Sequence, residues 1–157
     1  MSKLPMVLLL LCGTVSAAEP WADLDAQISQ VLPGVIELRH AIHQQPELGN
    51  REFHTSERIA QRLRELGLEV QTGIAHTGVI GVLRGGKPGP VVAIRAELDA
   101  LPLTEQTGLP YASTVRSKDE GGDFRSRGNE VGVMHACGHD AHMAMALGVA
   151  EVLAAHR

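Results

Sequence analysis

Val91-Val92-Ala93-Ile94-Arg95-Ala96-Glu97-Leu98-Asp99-Ala100-Leu101-Pro102 is the stretch on which the fold turns. Its first four residues form a continuous apolar run rich in β-branched side chains, long enough for a strand and too short for a helix. Such a run reads as a strand buried on both faces, the habit of sheets covered by helices on each side. Two carboxylates, Glu97 and Asp99, follow at once. Two residues apart, they lie on one side of an extended chain. The carboxyl end of a strand is also where α/β proteins gather ligands and catalytic groups.

Working backward, Gly85-Gly86-Lys87-Pro88-Gly89-Pro90 is turn chemistry. It separates this strand from two shorter ones expected at Leu68–Gln71 and Val79–Leu83. Before them, Leu24, Ile28, Val31, Val35, Leu38 and Ile42 step by three and four, which predicts a helix over 22–43. Pro33-Gly34 is expected to divide it into two segments, with Pro33 near the start of the second. Gln44-Gln45-Pro46 stops it. A second helix is expected from about Phe53 to Leu66, capped by Asn50 and closed by Gly67.

Working forward, residues 104–130 form a long polar connection carrying Arg116, Lys118, Asp119, Glu120, Asp123, Arg125, Arg127 and Glu130. It reads as a solvated surface insertion. From Ala141 to His156 the chain is helical and apolar in every direction, so it must be covered on every side. On this reading the natural domain continues past Arg157. Helices on either side of strands point to an α/β layered domain, with helices packed on a central mixed β-sheet.

Of 157 residues, 44% are hydrophobic and 20% charged, which argues against disorder, and the length suits one domain. The net charge is −4 and only 3% of residues are aromatic. There is no basic stripe and little surface on which bases could stack, so nucleic acid is not an expected partner. At the N-terminus, Lys3 precedes an apolar run from Met6 to Leu11. Small residues then run from Gly13 to Ala18. That is the layout of a secretory signal peptide over residues 1–18, cleaved after Ala17 or Ala18. The apolar run is far short of the roughly 20 residues that span a bilayer. The expectation is a secreted or periplasmic protein, with no membrane attachment once the signal is removed. Cleavage would remove Cys12 and leave Cys137 alone. A lone cysteine in an exported chain is a free thiol, a partner-linked thiol or a metal ligand.

Met134-His135-Ala136-Cys137-Gly138-His139-Asp140-Ala141-His142 packs three histidines, a thiol and a carboxylate into nine residues. In an extended or tightly turned backbone, Cys137 and His139 can reach one or two closely spaced metal ions. Gly138 between them removes a side chain that would obstruct this. Asp140 falls at the expected cap of the last helix, where a carboxylate suits the helix field and could orient a ligand. His142 falls in the first turn and faces back toward the loop. His135 alone reads as an ordinary hydrogen-bonded histidine. A structural zinc site would want four ligands and a second paired knuckle, which are absent. Two alternatives share these residues: a non-catalytic metal-binding remnant, and a hydrolase using Cys137 as nucleophile with a nearby histidine. Metal chelation separates the last from a metallohydrolase.

From about Ile36 onward the chain resembles the M20 metallopeptidases, in the branch of hippurate, N-acyl-amino-acid and indoleacetyl-amino-acid hydrolases. The resemblance lies in Arg39-His40-x-x-His43-x-x-Pro46-Glu47-Leu48, Glu52-Phe53-x-Thr55-Ser56, Thr77-Gly78-Val79, residues 85–90, Arg95 to Pro102, and Met134 to His142. It implies that residues 19–157 are the N-terminal portion of a zinc-peptidase-like catalytic domain. It further implies two divalent metal ions (zinc, manganese, cobalt or nickel), Cys137 and His139 as ligands, and hydrolysis of the amide in N-acyl amino acids or small peptides. Asp99 would steady the site from behind. Glu97 stands where relatives more often have Asp. The general-base glutamate is implied beyond Arg157, as part of a Glu-Glu pair followed by two further histidine ligands. The resemblance therefore places no catalytic group in this chain and implies little activity for it alone. A homodimer is implied only for a full-length protein.

Overall fold

The structure is a computed structural model and describes residues 23–120 and 128–157. The signal-peptide pattern of residues 1–18, and Asp123, Arg125 and Arg127, lie outside the described residues. Helix α1 spans Leu24–Gln44 and α2 spans Phe53–Glu65. Strands β1, Glu69–Ile74, and β2, Gly78–Val82, follow. After a long connection come β3, Arg116–Lys118, and β4, Glu130–Gly132. Helix α3, His139–Ala154, ends the chain.

Helix α1 runs unbroken through Pro33, contrary to the expected division. Proline removes one backbone donor and crowds the preceding turn. Here Pro33 and Gly34 lie on the exposed side. The stripe of Val31, Val35, Leu38 and Ile42 continues past them against α3, and that packing carries the helix across the fault. Helix α2 starts as expected, but not by means of Asn50, which adopts a left-handed conformation with φ 61°. The Glu47 carboxylate instead accepts the backbone N–H groups of Thr55 at 2.7 Å and His54 at 3.2 Å. These are two of the donors that a helix start leaves without a partner. At the other end, Gly67 has φ 78°. Leu68 N–H donates to Leu63 and Gly67 N–H to Arg64, the paired closure that a left-handed glycine permits.

Strands β1 and β2 form an antiparallel hairpin, with Glu69 opposite Val82 and Gln71 opposite Ile80. Helix α2 packs on it. Strands β3 and β4 form a second hairpin, Arg116 opposite Gly132, inside the stretch that the sequence marks only as a polar connection. The expected central sheet is not present among the described residues, which hold these two separate two-stranded sheets. Val91 to Ile94 is correspondingly not a strand. Val91 is 98% exposed and Val92 81%. A strand buried on both faces requires strands beside it and layers above and below. Among the described residues, nothing pairs with this run.

Two cores hold the chain together. Ile42, Ile59, Met143 and Leu147 pack α1, α2 and α3 together, with Leu38, Leu63, Val79, Ala96 and Leu98 around them. Leu48, Ala100 and Val133 form the second, flanked by Val115 and Val131. Helix α3 is covered on the side of Met143 and Leu147, while Met145, Val149 and Leu153 stay exposed. No described helix is long and apolar enough to cross a membrane.

Candidate metal centre

The site is assembled by backbone pairing. Ala100 N–H donates to the Glu47 carbonyl, and Leu101 and Met134 exchange two antiparallel hydrogen bonds at 2.9 and 3.0 Å. Counted outward from the Leu101–Met134 bridge, residue 99 falls opposite 136 and residue 97 opposite 138. One two-residue bridge therefore brings the carboxylates of the first motif to the cysteine–histidine motif of the second. The local signals are plain. Leu48, Ala100 and Val133 are apolar and buried, so they fix the register, while the polar residues beyond them project past the core.

At the start of α3, Gly138 sits in the N-cap position with φ 82° and ψ 17°. A Cβ there would meet nothing within 4 Å among the described residues. The glycine thus serves the backbone conformation, not the clearance expected from sequence. From this turn His139 and His142, three apart, share one face. His139 Nδ1 lies 2.9 Å from the Asp99 carbonyl oxygen and 3.1 Å from Asp99 Oδ1. Both are acceptors, so the ring hydrogen sits on Nδ1 and leaves the Nε2 lone pair free. His142 Nδ1 donates to Glu97 Oε2 at 2.9 Å, and Arg95 pairs with the other Glu97 oxygen at 2.9 Å. The His142 hydrogen bond, assisted by Arg95, holds the Glu97 carboxyl below the ordinary glutamate range.

Ligand atoms of Glu97, His139 and His142 all lie within 4.8 Å of one another. Divalent zinc bonds imidazole nitrogen and carboxylate oxygen at about 2.0–2.2 Å, so donors this close need only small movements to share an ion. The Asp99–His139 contact is the carboxylate-behind-histidine arrangement typical of metal ligands. The residues present fit a divalent metal. Cys137 is exposed, carries a free thiol, and is not one of these three groups.

Asp140 points the other way and is fully buried. It does not cap the helix by its side chain. Its Oδ2 accepts from His43 Nδ1 at 2.9 Å and Arg39 Nε at 3.0 Å, both from α1. Burial alone would raise this carboxyl; the His43 and Arg39 hydrogen bonds outweigh it and hold Asp140 below the usual aspartate value. On its far side the His43 ring contacts Glu105 Oε1 through Nε2 at 3.1 Å. Arg39, His43 and Glu105 were not singled out as site residues from the sequence. The available signal was the i, i+4 spacing of Arg39 and His43 beside the apolar stripe at Leu38 and Ile42. His135, read as an ordinary hydrogen-bonded residue, is 4% exposed, and neither ring nitrogen has a hydrogen-bond partner among the described residues. Burial pushes its pKa down to about 4.

Residues 93–157 match the family model described as peptidase family M20/M25/M40. Hippurate hydrolase of Campylobacter jejuni is 45% identical over 117 residues, covering 74% of this chain and 27% of the relative. Thermostable carboxypeptidase 1 of Saccharolobus solfataricus is 43% identical over 127 residues, covering 80% and 28%. The crystal structure of the Bacillus subtilis YXEP protein, a dinuclear metal-binding peptidase of the M20 family, superposes with a TM-score of 0.66 at 38% identity. That superposition covers 85% of this chain and 32% of the other. The chain belongs to the M20/M25/M40 peptidase family, in its amidohydrolase branch. It spans 27–32% of the length of these M20 relatives. The α/β arrangement described above is accordingly a part of the M20 fold.

Proposed function

We propose that this chain supplies part of a two-metal centre that hydrolyses the amide bond of N-acyl amino acids or small peptides. The observation that carries this reading is the His139 ring. Asp99 fixes its hydrogen on Nδ1, and the ring stands close enough to His142 and Glu97 for the three to share an ion. Cys137 and His139 are the proposed ligands from this chain. Asp99 orients His139, and Glu97 and His142 line the same face, with Glu97 adding negative charge beside the cations. Asp140, tied to α1, fixes the helix turn from which both histidines project. When bound, the metal ions polarise the scissile carbonyl and lower the pKa of bound water toward neutrality. The substrate class rests on the relatives: one is a hippurate hydrolase and another a carboxypeptidase. We also propose export to the periplasm or exterior, supported by the charge, apolar and small-residue order of residues 1–18.

Metal titration of the chelator-treated chain by calorimetry tests the site. Cobalt or zinc should bind, and Cys137→Ala and His139→Ala should each weaken binding by ten-fold or more. Undiminished binding in both variants overturns the assignment. Hydrolysis of N-benzoylglycine by the gene product, lost on chelation and restored by added metal, tests the activity. Persistence after chelation would favour Cys137 as a nucleophile. N-terminal sequencing of the protein recovered outside the cytoplasm tests export.

A further inference from the structure

The Arg39–His43 motif of α1 supplies none of the grouped candidate ligands, yet its side chains reach the first turn of α3 from behind. His43 is nine-tenths buried and stands between two carboxylates, Nδ1 2.9 Å from Asp140 and Nε2 3.1 Å from Glu105. Glu105 is itself held by Thr107 Oγ1–H and by the Ser113 backbone N–H, and the Tyr111 ring meets His43 edge-on. Tyr111 also stacks on His40, one turn earlier on α1, with ring centroids 3.7 Å apart. The 105–113 loop is thus fastened to α1 through His43 and His40.

Successive residues of a helix are turned by about 100°. His139 and His142 therefore face Glu97 and Asp99, and Asp140 faces α1. The turn is gripped from both sides, and its rotation sets where His139 Nε2 points. Asp140 Oδ2 is also held by the part-exposed Arg39 at 3.0 Å. Loss of the His43 grip would leave the buried carboxylate to Arg39 alone, a weakened pairing that is disfavoured in the interior, and would let the turn rotate and carry His139 with it. We propose that His43 is a positioning residue for the metal ligand His139, acting through Asp140, with its Glu105 contact serving only to order the loop. This rests on the metal-site reading above.

Two isosteric changes divide the contacts. Asparagine can place its amide near the position of Nδ1 and keep the Asp140 contact; glutamine can reach the position of Nε2 and keep the Glu105 contact. Each removes one contact, so a purely structural role predicts that His43→Asn and His43→Gln behave alike. The first readout is the His139 ring tautomer in the metal-free chain, followed by long-range proton–nitrogen NMR. The Nδ1–H form should persist in wild type and H43N and become mixed in H43Q. The second is cobalt titration followed by the visible absorption of the bound ion. H43N should stay within about three-fold of wild-type affinity, and H43Q should lose about ten-fold or more, the usual cost of disturbing a ligand's support. Glu105→Gln, a milder change that spares the Asp140 side, should resemble H43N in both. Equal behaviour of H43N and H43Q overturns the positioning role, as does an H43Q-like result for E105Q. Failure of wild type to bind cobalt while the tautomer pattern holds overturns the metal reading alone.

Discussion

His139 and Asp99, forty positions apart, are joined twice: the same Nδ1 faces the Asp99 carbonyl oxygen at 2.9 Å and its carboxylate at 3.1 Å. The duplication means that the tautomer of His139 does not depend on the side chain alone. The carboxylate adds ligand basicity and the backbone carbonyl adds orientation.

It follows that Asp99→Ala should weaken divalent-metal binding at the lower end of the range for such contacts, about ten-fold. The His139 ring hydrogen should stay on Nδ1. Calorimetry and ring NMR on the same sample check both. A mixed tautomer in D99A would show the carbonyl contact to be too weak to hold the ring.

The metal-free chain should lose stability in two stages on acidification. His135 titrates near 4 in the fold against an ordinary 6.5, because burial disfavours its charged form. Its contribution is therefore complete above 6.5 and is lost as pH falls from 6.5 to about 4. A shift of this size is worth roughly 3 kcal/mol. Asp140 and Glu105 are both held below their ordinary values, against the effect of burial, by the hydrogen bonds they accept. Their contribution is present above the ordinary carboxylate range and disappears at lower pH still. Among the described residues, neither His135 nitrogen has a hydrogen-bond partner to lose. His135→Leu should then cost under about 1 kcal/mol at pH 7 and flatten the first limb of a urea-denaturation series. An unchanged limb would assign it to another group.

Gly132 in β4 should tolerate no side chain. A Cβ there would lie 2.6 Å from Thr104 Cα, and backbone cannot swing aside as a flexible side chain can. Gly132→Ala should destabilise by about 1–3 kcal/mol or more through overpacking. Because Thr104 precedes Glu105, the variant should also disturb the loop fastened to His43. Chemical denaturation measures the first effect and the Tyr111 ring signals in NMR report the second.

Glu47 should behave as a helix cap supplied from outside the helix. Removing its carboxylate as Glu47→Ala should cost about 0.5–2 kcal/mol. The change should appear in denaturation midpoints and as faster amide exchange at His54 and Thr55, the two N–H groups it accepts. Protection unchanged at both would rule the cap out.

Legibility from sequence followed how local each determinant is. Helix α2 was readable because its apolar face and Gly67 lie within one short segment, whereas its cap was misread because Glu47 lies outside the helix, past a turn. Strands β1 and β2 were visible from their short β-branched runs, though their pairing as a hairpin was not. The β3–β4 hairpin was not visible at all, because Arg116, Lys118 and Glu130 carry charges that resemble a solvated loop. Val91 to Ile94 illustrates the opposite error. Its composition suits a buried strand, but burial belongs to the neighbours, and none pairs with it among the described residues. In the site, the density of the 134–142 cluster was legible. The direction of each side chain was not, since Asp140 and His139 are adjacent in sequence and face opposite walls.

Sequence alone settled which chemistry is available: thiol, imidazole and carboxylate concentrated in two short motifs. Only the tertiary structure decided which of these groups meet. The Leu101–Met134 bridge sets Asp99 behind His139 and Glu97 beside His142, and α1 takes Asp140 for itself. The reason is physical. Propensity and pattern act over a few residues, whereas hydrogen bonds between groups forty or ninety-seven positions apart exist only after apolar burial has fixed the register between their segments.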